Sequence, residues 1–176
     1  MLFKELKIKG AWLIELEKKE DERGFFARTW CQEEFKKRGL VDIFVQCSIS
    51  YNKSMGTLRG LHYQSAPYEE VKVVRCTKGA ICDVILDLRS TSDSYGEWHA
   101  EELTEQNYLM LYIPKGVAHG FQTLEAETEI LYQMSEPYRP GSGRGIRWDD
   151  RTLRINWPIP NPIVSVQDRN LPAFSR

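Results

Sequence analysis

Histidine is scarce in this chain, and its placement is where chemistry first becomes visible. Of three histidines, His62 stands in the run Arg59-Gly60-Leu61-His62-Tyr63-Gln64, and His119 ends the run Pro114-Lys115-Gly116-Val117-Ala118-His119. An imidazole moves protons near neutral pH and is also a common metal ligand. Gly56 lies six residues before His62, and Glu69 lies seven after it. His62, Glu69 and His119 therefore supply three N/O donors, chemically sufficient for an open site on iron, manganese or zinc. Two hydrogen-bonded histidines with a structural role satisfy the same spacing. Lys72 sits between two valines, which fits either a lysine aimed at a cavity or one that guards a sheet edge. Taken alone, Tyr132 reads as a core tyrosine, Asp168 as a solvated loop acid, and Arg23 and Arg59 as surface charges.

The elements that must hold these groups read mostly as strands. Residues 71–76 are short and β-branched, and residues 109–114 and 129–134 are further candidates. Residues 80–88 alternate, with Cys82, Val84, Leu86 and Leu88 on one face and Asp83 and Asp87 on the other. That acidic face could meet solvent or a polar barrel cavity, and the pattern leaves both open. One helix is expected over residues 31–38, with acids early, bases late and Gly39 as its stop. Gly and Pro punctuate the chain at Lys78-Gly79, Pro114-Lys115-Gly116 and Pro140-Gly141. Many short strands and little helix argue a β-sandwich or barrel.

Composition bounds the rest. The 176 residues favour one domain spanning 1–176. A net charge of -1 provides no global field for nucleic acid or an acidic membrane, so an anionic ligand needs local charges. No segment is apolar enough to cross a membrane as a helix, and the first residues lack the apolar run of a signal peptide. The expected location is the cytoplasm. Cys31, Cys47, Cys76 and Cys82 form no CxxC pair and read as reduced thiols, mostly buried.

The His62 and His119 segments half-match the two cupin motifs: Gln64 stands where a second histidine is expected, and Thr123 where an asparagine is expected. More of the chain resembles one family. The strings Asp21-Glu22-Arg23-Gly24-Phe25-Phe26, Arg59 to Gln64, Asp83-Val84-Ile85-Leu86-Asp87-Leu88-Arg89 and Ile113 to Phe121 resemble the dTDP-4-dehydrorhamnose 3,5-epimerases. So do Trp148-Asp149-Asp150, Ile155-Asn156-Trp157-Pro158 and Ser165-Val166-Gln167-Asp168, in order along nearly the whole chain. The resemblance implies an all-β, cupin-type double-stranded β-helix (a jelly-roll barrel) with a few short helices. It implies a homodimer, to which residues 11–14 could contribute by pairing with a partner's sheet. It implies a cofactor-independent, metal-free isomerase that inverts C3 and/or C5 of a nucleotide-linked 4-keto-6-deoxyhexose through an enolate. In that scheme His62 is the base, Asp168 its partner, Tyr132 the acid and Lys72 the cation at the C4 oxygen. Arg23 and Arg59 grip the diphosphate, Gln46 the nucleoside, and His119 lines the sugar pocket backed by Asp83. The competing readings are a metal-dependent cupin using His62, Glu69 and His119, and a non-catalytic sugar-binding cupin.

Several positions depart from the family pattern. Cys47 and Ser48 replace an acid and an amide, Arg28 and Gly143 each replace a glutamate, and Gln167 and Gln133 replace lysines. These changes fall on recognition positions, whereas His62, Asp168, Tyr132 and Lys72 are kept. The expectation is retained enolisation with altered recognition, on dTDP, CDP or GDP. Arg28 removes an acceptor and adds donors, which suits a base edge rich in acceptors such as cytosine.

Overall fold

A computed structural model describes residues 1–175. Two antiparallel sheets face each other. The first contains β1 (Leu2–Glu5), β2 (Trp12–Glu15), β5 (Gln46–Asn52), β7 (Lys72–Lys78), β10 (Met110–Ile113) and β12 (Thr128–Met134), in the order β1-β2-β10-β7-β12-β5. The second contains β6 (Thr57–Gln64), β8 (Ala80–Asp87), β9 (Trp98–Thr104), β11 (Val117–Thr123) and β13 (Gly143–Gly145), in the order β13-β6-β11-β8-β9. The short β14 (Ile163–Val164) adds to β6 in parallel. A separate hairpin, β3 (Lys19–Asp21) and β4 (Gly24–Phe26), stands apart from both sheets. The helices are α1 (Gln32–Lys36) and α2 (Val166–Arg169). This is the jelly-roll class expected from sequence.

The central strands of both sheets are covered on both faces, which explains the apolar runs, whereas β5 leaves Cys47, Ile49 and Tyr51 exposed. Ile81, Ile85, Val74, Leu111 and Ile130 meet between the sheets. Phe35 of α1 packs with Val73, Met110 and Tyr112 on the outside of the first sheet. Leu61, Val84, Leu86, Ala118, Ile146 and Leu153 form a third cluster on the second sheet. Strand β8 is buried along its whole length. Its alternation is real, but neither face meets water. Cys82, Val84 and Leu86 lie under the chain's C-terminal part, while Asp83 shares the inner face with Ile81 and Ile85. Of the two options for the acidic face, the barrel interior holds.

Three expectations change. Residues 12–15 pair with β1 and β10 of their own chain, so they are interior to a sheet and offer no edge to a partner. Cysteine burial is mixed, with Cys76 and Cys82 buried and Cys47 exposed. The helix over residues 31–38 shortens to α1, and Gly39 follows at φ 68, the left-handed stop that glycine takes without strain.

Candidate active site

A cavity of about 550 Å³ opens between the sheets, within the range of small-molecule sites. Period-two alternation decides what enters it. Gln46, Ser48 and Ser50 of β5, Lys72 of β7 and Tyr132 and Met134 of β12 all project from the inner face. Glu136, Tyr138 and Arg144, from the segment after β12, line its outer part.

Strand β6 breaks the period. Arg59 and His62 are three apart, which would place them on opposite faces of a regular strand, yet both line the cavity. The register explains it. His62 faces His119 and Arg59 faces Phe121, so three steps along β6 span two along β11, a bulge. Leu61 turns outward into the third cluster. Two glycines make this possible. Gly60 adopts φ +122, and a Cβ there would lie 2.5 Å from Gly120 Cα.

His62 Nε2 lies 2.6 Å from Asp168 Oδ1. An ionised carboxylate only accepts, so this contact makes Nε2 the donor, and in the neutral imidazole the lone pair is then on Nδ1. Asp168 is itself fixed. It sits on α2, whose N-cap Ser165 accepts a hydrogen bond from the Asp168 N–H at 3.0 Å, and its Oδ2 accepts from Gly60 N–H at 3.3 Å. The His62 side chain is 43% exposed, whereas Asp168 is 6% exposed, so the imidazole faces the cavity and its partner stands behind it.

Tyr132 stands edge-on to His119, with ring centroids 5.8 Å apart. Burial raises the pKa of its phenol well above the ordinary value; the Asp83 carboxylate adds to the rise and Arg59 opposes it. Tyr132 is therefore a neutral phenol, able to donate a proton. Behind it, His119 Nε2 pairs with Asp83 Oδ2 at 2.9 Å, both side chains almost fully buried. Lys72 Nζ bonds Glu70 Oε1 at 2.9 Å and donates to the His62 carbonyl at 3.4 Å. Arg59 donates through Nε to Asn52 Oδ1 at 2.8 Å. Gln46 Oε1 accepts from the Tyr138 N–H at 3.1 Å, tying β5 to the outer segment. Gln64 accepts from the Arg139 N–H and the Ser142 hydroxyl, and donates to the Tyr68 carbonyl.

The fold thus gathers His62, Asp168, Tyr132, Lys72, Arg59, Gln46 and the His119–Asp83 pair around one cavity. Arg23 and Arg28 lie outside this set: neither lines the cavity of its own chain. Arg23 is 84% exposed on the β3–β4 hairpin and pairs with Asp21 at 2.6 Å. Arg28 pairs with Glu34 at 3.0 Å. Both belong to a stretch that leaves the sheets before α1, so no strand face carries them inward. The metal set also fails to assemble. Glu69 does not line the cavity, His62 and His119 each turn a ring nitrogen to their own aspartate, and no three His, Cys, Asp or Glu groups among the described residues are placed to hold an ion. The departures from the family pattern divide: Ser48, Gly143 and Gln167 line the cavity, whereas Cys47, Arg28 and Gln133 do not.

Sequence reading missed Glu70, Glu136, Tyr138 and Arg144. Glu70 had a usable signal, since it lies two residues before Lys72 and shares its parity. The others follow the last long strand, where no period applies.

A cavity with an imidazole base, a neutral phenol, an ammonium and a guanidinium suits proton transfer beside a carbonyl on an anionic ligand. The comparisons agree. A family model described as dTDP-4-dehydrorhamnose 3,5-epimerase matches residues 5–176. A dTDP-4-dehydrorhamnose 3,5-epimerase of Sinorhizobium fredii is 40% identical over 176 residues, covering 99% of this chain and 90% of that one. The crystal structure of the Bacillus anthracis enzyme with TDP and PPi bound superposes with a TM-score of 0.95 at 38% identity, covering 98% of this chain and 99% of that one. A Legionella pneumophila epimerase in complex with dTDP-4-keto-L-rhamnose gives 0.89 at 31% identity, with 99% of each chain covered.

Proposed function

The chain belongs to the dTDP-4-dehydrorhamnose 3,5-epimerase family, and from that premise we propose that it is an isomerase inverting C3 and/or C5 of a nucleotide-linked 4-keto-6-deoxyhexose. One observation carries the reading: the His62–Asp168 pair opens on the same cavity as the buried phenol of Tyr132 and the ammonium of Lys72.

The chemistry follows from the ketone. A C4 carbonyl acidifies the protons on C3 and C5. His62 Nδ1 takes one of them, and the electron pair left behind moves onto the C4 oxygen as an enolate. Asp168 holds the imidazole in place and stabilises the imidazolium. Lys72 supplies a positive charge to the enolate oxygen in a water-poor site, where such contacts are strong. Tyr132 returns a proton to the opposite face of the same carbon, and the carbonyl re-forms. The raised pKa of Tyr132 keeps the proton on the phenol until that step. Arg59 serves the diphosphate, and Gln46 the nucleoside beside Tyr138. His119, backed by Asp83, shapes the sugar end.

The relatives named above make dTDP the first nucleotide to test, with CDP and GDP beside it because Ser48, Gly143 and Gln167 alter the lining. Incubated in D₂O with dTDP-4-keto-6-deoxyglucose, the protein should incorporate deuterium at C3 or C5. Tyr132→Phe should keep part of the wash-in while losing net inversion; equal loss of both removes Tyr132 as the second acid. Binding without exchange on every nucleotide would return the protein to the sugar-binding reading.

We further infer a single domain working as a homodimer in the cytoplasm. The hairpin that carries Arg23 also carries Phe26, 77% exposed, a surface that a second chain would cover. The cysteines are free thiols, the state a reducing compartment maintains. Light scattering on the purified protein tests the dimer.

A further inference from the structure

Glu70 is a buried acid at the cavity that the scheme above leaves unused. Its side chain is 5% exposed, and that of its partner Lys72 is 12% exposed, so the ion pair lies out of bulk water. An ammonium has three N–H donors. Lys72 gives one to Glu70 Oε1 at 2.9 Å and one to the His62 carbonyl at 3.4 Å, which leaves a third for the enolate oxygen. Glu70 Oε1 thereby helps set the direction of that third donor. The second carboxylate oxygen is different. Glu70 Oε2 is buried and has no hydrogen-bond partner among the described residues. An ionised oxygen left bare in this way is unfavourable unless something fills its valence. Glu70 lines the substrate cavity, so the ligand itself is the natural donor.

The position selects which donor. If Lys72 meets the C4 oxygen, Glu70, bonded to the same ammonium, lies beside the carbons that flank C4. In a 4-keto-6-deoxyhexose, C5 bears a methyl group and the ring oxygen, neither a donor. C3 bears a hydroxyl. Resting on the epimerase reading, we propose that Glu70 is a specificity-determining residue: Oε1 aims Lys72, and Oε2 accepts a hydrogen bond from the C3 hydroxyl of the sugar. The site then selects sugars that keep a hydroxyl at that carbon and rejects 3-deoxy analogues, which leave Oε2 bare.

The test compares two substrates in one protein. Deuterium exchange at C5 is measured as kcat/KM on dTDP-4-keto-6-deoxyglucose and on its 3-deoxy analogue. The ratio of the two is independent of how much of a variant is folded. Wild-type protein should prefer the hydroxylated sugar by roughly 10- to 100-fold, the range of a hydrogen bond to a charged group. Glu70→Ala should erase the preference. Glu70→Gln, which keeps shape and loses charge, should weaken it by about tenfold and decides alone if the alanine variant does not fold. A preference unchanged in Glu70→Gln, with both substrates slowed equally, overturns the inference and leaves Glu70 acting through Lys72 only. Wild-type protein that exchanges neither sugar overturns the epimerase reading itself, a distinguishable outcome.

Discussion

Two histidine–aspartate pairs stand side by side in this barrel, and their difference teaches more than their likeness. His62 and His119 face each other across β6 and β11, and each bonds an aspartate through Nε2, at 2.6 Å and 2.9 Å. The chemistry of the pairs is the same. Their access to solvent is not: the His62 side chain is 43% exposed and that of His119 is 4% exposed. An imidazole open to the cavity can take a proton from a ligand and pass it on. A buried one orients its neighbours and contributes to stability. Asp168 is held by a helix cap and a backbone N–H, whereas Asp83 Oδ1 has no partner among the described residues, so the inner pair is also the less satisfied. On the proposed mechanism, position in the barrel, rather than residue type, gives one pair the role of base and the other that of support.

That contrast can be broken by experiment. His62→Ala should lower deuterium exchange by roughly 10³-fold, within the usual worth of a positioned base, while the melting temperature barely moves. Exchange at the wild-type rate would remove His62 as the base. Asp83→Ala should act chiefly on stability: a loss of about 3 kcal/mol in chemical denaturation from stranding a buried partner, or roughly 6–12 °C in thermal melts. A variant as stable as wild type would show that the inner pair supports nothing. Asp168→Asn keeps the shape but loses the charge, so exchange should fall roughly 10²-fold. Combined with His62→Ala, it should add almost nothing, because the two act as a unit. Full additivity would mean that Asp168 works elsewhere.

A smaller effect sharpens the comparison with a third buried acid. Asp87 lies on the same strand as Asp83 but is fully satisfied, by Arg89, Ser92 and Ser94. Burial alone would raise its pKa, yet the hydrogen bonds from Arg89, Ser92 and Ser94 bring it down to about 2. A depressed carboxylate stabilises the fold above its unfolded pKa, and the contribution fades as pH falls from about 4 towards 2. Asp87→Asn should therefore be about 2 kcal/mol less stable than wild type at neutral pH, with the gap closing towards pH 2 in urea titrations. A gap that persists there would assign the loss to packing rather than charge.

Much of the architecture was legible because it rests on local rules. The period of two in residues 80–88, the β-branched run at 71–76 and the Gly39 stop each follow from sterics within a few residues, and each has its counterpart in β8, β7 and α1. The pairing of His119 with Asp83 and of His62 with Asp168 was reachable through the family resemblance. Arg23 and Arg28 show the limit: residue type fits a phosphate, but no rule of spacing says that both will stand outside the cavity of their own chain.

By itself, the sequence determined the class of the fold, the strands that carry the chemistry and the kind of proton transfer that the kept residues permit. The tertiary structure decided what reaches the cavity. His62 and Arg59 share it because Gly60 and Gly120 approach closely enough to seat a bulge, a contact sixty residues apart along the chain. Asp83 and Asp87 face inward because β8 is covered on both faces, leaving it no wet side. Glu70, just ahead of β7, lines the site, and its neighbour Glu69 does not. Side-chain chemistry is written in the residue, but which solvent or neighbour it meets is a property of distant chain segments brought together, and that choice separates a base from a buttress.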